Sequence, residues 1–297
     1  MMRPFKTHQN WREITMSESP EDALVHSLVE EVTDDYHETV TDAERFAFLP
    51  RGIEYQRSAI GSLSEFIDDA EEIKRDLQID EEIPGRAANQ VLALICMAKA
   101  IRYELRMWIR LKEENWESAW ADFVDAQEYA SSAIAADPIA HYCNVEKYQE
   151  KLRSIERFIF PPQQFVSPGM IVNTYECSIC GEDYDTCSHL QGIAYNGVFC
   201  NRILRDIEAT EVSTVDDPRD KKARVRGHHV EDGFRNQMTW EIEEDSEGSE
   251  RIVDETPDHV DDDEVEDFLR IEATVMTADD GGDDFSKFRG NSEDGSE

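Results

Sequence analysis

Four side chains between residues 177 and 189 have the types and spacing to hold one metal ion. Cys177-Ser-Ile-Cys180 places two sulfurs across a tight turn, which Gly181 eases behind the second thiol. Cys187-Ser-His189 supplies a further thiol and an imidazole after a short spacer. Three thiolates and one imidazole are a ligand set of closed, four-coordinate structural zinc sites. Soft sulfur donors favour zinc over magnesium or calcium, and the set does not fit a two-histidine, one-carboxylate iron site. With every position filled from the protein, the ion is expected to act as a structural Zn2+ rather than a catalyst. Cys200 could stand in for His189 as the fourth ligand. A redox role for Cys177 and Cys180 would call for a strand-to-helix context that the flanking sequence lacks.

The residues around this cluster change texture twice. From residue 21 to 160 the apolar positions follow a helical period. Leu24, Leu28 and Val32 mark one face, and Ile60, Leu63, Ile67 and Ile73 mark a second. Val91 to Leu111 and Trp116 to Ala133 mark two more, the latter stopped at Asp137-Pro138, and Val145 to Phe158 forms the last. Cys96 and Cys143 fall on these patterns and read as core thiols. The small-and-aromatic spacing of Trp116, Ala119, Phe123 and Ala126 has a tetratricopeptide flavour, but a single copy cannot stack, so an ordinary helix hairpin is expected. After Phe160-Pro161-Pro162 come short runs rich in β-branched and aromatic residues: Gln164 to Val166, Met170 to Val172, Val198-Phe199 and Glu211 to Val215. Residues 161–226 therefore read as a small β-rich domain carrying the metal cluster. Residues 1–20 read as a flexible N-terminus, and 227–297 as an acidic, largely disordered tail. Two apolar pieces of that tail, Met238 to Ile242 and Val265 to Ile271, are candidate docking peptides. The expected class is α+β: a helical bundle, a zinc-stapled β module and a tail.

Charge sets the second constraint. The 297 residues include 67 Asp plus Glu against 30 Lys plus Arg, a formal net charge of -37. Acids crowd the helices as well as the tail, as in Glu30-Glu31 and Asp68 to Glu72. Such a surface is tolerable where concentrated salt shortens the screening length, which points to a salt-adapted prokaryote or its virus. Nucleic-acid binding is disfavoured, because the sole basic concentration is Arg202, Arg205, Lys221, Lys222, Arg224 and Arg226. Six cysteines in a chain this long are no disulfide framework, and the N-terminus lacks an apolar signal core. No apolar run reaches the length of a membrane span. A cytoplasmic location is expected. The acidic style begins abruptly after residue 15, which suggests translation from Met16 rather than Met1.

Two strings flanking the cluster resemble the C-terminal half of tailed-phage prohead (capsid maturation) proteases. They are Phe165-Val-Ser167-Pro-Gly169-Met170, and the run from Ile203-Leu204 through Glu211-Val-Ser213-Thr-Val215 and Pro218 to Ala223-Arg-Val225. The resemblance covers about sixty residues. It implies Ser167 as nucleophile and Ser213 on a structural strand. Pro218-Arg219 stands where that family has Pro-Ala, and the region in which its catalytic histidine lies on a strand reads as helix here. His141, His228 and His229 are the histidines open to consideration as a base. Since a serine hydroxyl needs a positioned proton acceptor, the first expectation is a non-catalytic zinc-binding module with a protein partner. A serine endopeptidase is the alternative.

Overall fold

A computed structural model describes residues 20–230 and 233–243, together with the backbone of residues 271–274. The proposed Met16 start and most of the acidic tail lie outside these residues. Six helices come first: α1 (Pro20–Glu44), α2 (Ile53–Ile79), α3 (Gly85–Lys112), α4 (Trp116–Ala136), α5 (Ile139–Tyr142) and α6 (Val145–Ile159). The strands follow: β1 (Phe165–Cys177), β2 (Ala194–Tyr195), β3 (Val198–Phe199), β4 (Arg202–Val215), β5 (Arg224–Val230), β6 (Gly233–Asn236), β7 (Ile242–Glu243) and β8 (Ile271–Thr274). The chain is α+β, with the Cys/His cluster in the strand region.

The helical half is organised around α3. Most positions from Val91 to Leu111 are buried, and the exceptions Lys99, Arg102, Arg106 and Arg110 form one narrow polar stripe. A helix with so wide an apolar face belongs at the centre of a bundle. It packs against α4, α2 and α1. The turn between α3 and α4 ends at Asn115, whose side chain accepts a hydrogen bond from the Ser118 N–H (3.2 Å) and caps α4. On α1 the inward face is Val25, Val29, Val32, Tyr36 and Val40, whereas Leu24 is exposed. Of the face read off Leu24, Leu28 and Val32, Val32 is buried and Leu28 packs partly buried against the core, and Leu24 alone turns outward. Glu104 is fully buried within the bundle, where it is held by Lys151 (2.7 Å) and by the indole N–H of Trp108 (3.1 Å). Buried carboxylates persist when paired in this way.

In the strand half, the sheet order is β4-β1-β5-β6-β7, with β8 on the other side of β5. The strands run past residue 226: β5 reaches Val230, and β6 and β7 extend the sheet to Glu243. Gly227 makes this possible, because a Cβ there would lie 2.2 Å from the Arg235 carbonyl oxygen. Met238 is buried in the same core as the helices, as is Ala194. Both halves of the chain therefore share one main hydrophobic core.

β1 and β4 form a long antiparallel ribbon whose pairing with β5 is limited to Phe165, beside which Val166 packs on Val225. Paired residues share a face. Pro168 with Val212, Met170 with Ala209, and Val172 with Ile207 form one apolar face, broken by a bulge after Gly169. Met170 is 42% exposed, Ile207 53% and Val212 61%. The alternate face carries Ser167 with Ser213, Gly169 with Glu211, and Ile171 with Glu208.

Both ends of the ribbon are fastened to helices. At one end Phe165 stacks on Trp120, which also contacts Phe160 and Phe123. The Trp120 indole N–H donates to the Lys221 carbonyl (2.9 Å). Lys221 pairs with Glu156, Lys222 with Asp125, and the buried Arg224 with Glu117. The metal-cluster end is held by the β2–β3 hairpin.

Candidate metal centre

Cys177 ends β1, and the chain turns at once. The Gly181 N–H donates to the Cys177 carbonyl (2.8 Å), with Gly181 at φ +71°. That left-handed conformation is the one glycine adopts without steric cost. A second turn forms on Asp183, which accepts from the N–H groups of Asp185 (2.9 Å, side chain) and Cys187 (3.2 Å, carbonyl). It swings Cys187 and His189 back towards the first pair. The tyrosines fix the return: the N–H groups of Gln191 and Leu190 donate to the hydroxyls of Tyr184 (2.8 Å) and Tyr195 (3.0 Å). The His189 ring stands edge-on to Tyr195, with centroids 4.8 Å apart.

The result brings together the residues singled out by spacing. Ligand atoms of Cys177, Cys180, Cys187 and His189 all lie within 4.8 Å of one another. Cys177 Sγ is 3.7 Å from His189 Nδ1. Tetrahedral zinc with sulfur at about 2.3 Å and nitrogen at about 2.0–2.1 Å would need S–S edges near 3.8 Å and S–N edges near 3.5 Å. The group could hold a metal ion. The electrostatics differ between the thiols: burial raises Cys187, whereas Cys177 is lowered. Burial disfavours the Cys177 thiolate, but the N–H groups of Cys180 and Ile179 and the thiols of Cys180 and Cys187 donate to it, lowering its pKa to about 6. Thiolate is the metal-binding form.

Cys200 adjoins the group, as near to Cys177 as His189 is. Its buried Sγ is 3.7 Å from Cys177 Sγ. Burial first, and the neighbouring Cys177 second, push its thiol up to about 11. Cys96 and Cys143, expected to be core thiols, are also pushed up by burial, each to about 12, and Cys96 is enclosed in the bundle.

The hairpin that carries Cys200 escaped the sequence reading, although its signal was present. Asn196-Gly197 has positive φ at both residues (47° and 76°), the conformation of a two-residue hairpin turn between β2 and β3. This turn docks the metal region on the bundle. Gln78 Nε2 donates to the Asn196 carbonyl (2.8 Å), Asn89 Nδ2 to the Ala194 carbonyl (3.1 Å), and the Gly197 N–H to Asn89 Oδ1 (2.6 Å).

Ser167 lies opposite Ser213 in the ribbon register and makes no hydrogen bond to a histidine among the described residues. His141 is paired with Glu146 on the helical side. His228 and His229 sit on β5, where the His229 ring packs edge-on against Phe234. No helix among the described residues is long and apolar enough to cross a membrane. No protein-family model, curated protein or solved structure matches the chain.

Proposed function

We propose that Cys177, Cys180, Cys187 and His189 bind one structural Zn2+, and that the protein is a non-catalytic binding or scaffold module of a salt-adapted prokaryote or its virus. The observation that carries this reading is the convergence of three thiols and one imidazole at the foot of an exposed ribbon. All four ligands come from the chain, so no coordination position is reserved for a substrate. The ion would tie the end of β1 to the loop that leads into the hairpin on the bundle, holding a ribbon that two strands alone would not stabilise in water. The exposed apolar face, from Met170 to Val212, supports a protein partner, since such faces mark interaction surfaces.

An endopeptidase with Ser167 as nucleophile requires an imidazole at hydrogen-bond distance from its hydroxyl, and the geometry around Ser167 favours the non-catalytic reading. Two measurements test it together. Stripping metal with a chelator should selectively remove strand signal and expose residues 178–201 to limited proteolysis, and adding zinc should restore both. Ser167→Ala should leave the intact mass of the purified chain unchanged. An undisturbed metal-free ribbon would overturn the first half of the proposal, and self-cleavage that depends on Ser167 would overturn the second.

A further inference from the structure

The six basic residues that stand out in the sequence between 202 and 226 are engaged internally. Lys221, Lys222, Arg224 and Arg226 meet carboxylates of α4 and α6, Arg205 meets Glu176, and Arg202 bonds Gln191. They fasten the ribbon and offer no continuous surface to a phosphate backbone. Arg153 on α6 and Arg219 in the loop after β4 differ. Neither has a hydrogen-bond or ion-pair partner among the described residues. Both are exposed, as is the equally unpartnered Arg157 on α6, and what sets Arg153 and Arg219 apart is that they line one cavity.

Both line a cleft of about 640 Å3 walled by α4, α6, Asn201 and the Pro218–Lys221 loop. That volume is typical of small-molecule sites. The lining adds neutral polar groups: Asn201, Gln149, whose amide spends one N–H on Ser131, and Ser131, whose hydroxyl donates to the Gln127 carbonyl. Its one carboxyl group, Glu128, is raised to about 7 by burial first, with Asp125 and Asp220 adding to the shift and Lys222 opposing it. Glu128 stands at the open rim, so solvent screens part of that effect. Lys221 is already neutralised by Glu156, which leaves the guanidiniums as the dominant charge in the cleft.

We propose that this cleft binds a small phosphate-bearing anion, clamped by Arg153 and Arg219, with the side-chain amides of Gln149 and Asn201 as neutral donors. Guanidinium forks match phosphate oxygens in pairs. A tetrahedral phosphate presents acceptors in every direction, as a wall with donors on several sides requires, whereas a planar carboxylate does not. The site is separate from the metal centre but shares a wall with it. The Ser178 N–H donates to the Asn201 carbonyl (3.0 Å), and the Asn201 N–H to Ser178 Oγ (2.8 Å).

Calorimetric titration of the full chain with inorganic pyrophosphate, at constant ionic strength, tests the proposal. Saturable binding of one anion per chain is expected. Arg153→Gln and Arg219→Gln should each weaken it about tenfold, the scale of one lost charged hydrogen bond, and the double variant should abolish it. Arg157→Gln removes an exposed arginine of α6 outside the cleft and should leave binding unchanged. Citrate should bind more weakly than pyrophosphate. Absence of saturable binding, survival of binding in the double variant, an equal loss in Arg157→Gln, or tighter binding of citrate would each overturn the proposal.

Discussion

Replacing Trp120 with alanine tests whether the strand half is built onto the helical core. The side chain is 2% exposed and sits among Phe123, Phe160 and Phe165, with ring centroids 5.7, 5.2 and 6.3 Å away. Truncating a buried aromatic of this size costs about 3–5 kcal/mol. The figure includes loss of the indole N–H bond to Lys221, which by itself contributes about 1 kcal/mol. Trp120→Phe keeps most of the apolar contact but not that bond, so its cost should fall to about 1–2 kcal/mol. Urea unfolding in concentrated salt, followed by far-ultraviolet circular dichroism, measures both variants. Limited proteolysis across the transition shows when the ribbon opens. Because the core is shared, one transition is expected, with ribbon and helices lost together. A cost below about 1 kcal/mol for Trp120→Ala, or a ribbon that opens well before the helices in the wild type, would refute the reasoning.

Other outcomes follow from individual side chains. Asp122 is buried beside Arg106 (3.1 Å) and Arg110 (3.8 Å), and burial outweighs both cations, raising its carboxyl to about 6. Its folded pKa exceeds its unfolded one, so the associated stability is complete below about pH 4 and is lost as pH rises through 6. Asp122→Asn should therefore gain on the wild type by about 2–3 kcal/mol between pH 4 and pH 8; a difference that does not change with pH in unfolding titrations would count against it. Gly197→Ala should cost about 2 kcal/mol and loosen the hairpin, since φ is +76° and a Cβ would meet Gln78, Ala88 and Lys74 at 3.0–3.2 Å. Its thermal midpoint would show this. Cys180→Ser should abolish stoichiometric metal, whereas Cys96→Ser should retain it while losing about 1–3 kcal/mol from burying a hydroxyl. Metal analysis and unfolding curves separate the two.

The ligand group was legible because two short turns bring its members together; no distant pairing is needed. The helices were legible where the apolar period is broad, as from Val91 to Leu111. Over α1 the apolar residues are sparse, so the face marked by Leu28 and Val32 was found, while Leu24 at its edge lies in solvent and Val25 and Val29 were missed. The ribbon was harder to read. Ser167-Pro168-Gly169 looks like a break, yet β1 continues through it. Beyond Phe165 that strand pairs with β4 alone, so a residue lacking an N–H can face the open side. Gly169 then fits the bulge, where a Cβ would crowd Glu211 and Thr210 at 2.8 and 2.9 Å. The strands after residue 226 were hidden because Gly227-His228-His229 has the composition of a loop. Its pairing with β6 depends on a partner strand that local pattern does not reveal.

X-ray absorption at the zinc edge, on protein purified without added metal or reductant, addresses the metal centre most directly. One zinc per chain is expected, with three sulfurs at about 2.3 Å and one nitrogen at about 2.0–2.1 Å. Metal absent from folded protein, or a shell made mainly of oxygen, would contradict a thiolate–imidazole staple at Cys177, Cys180, Cys187 and His189.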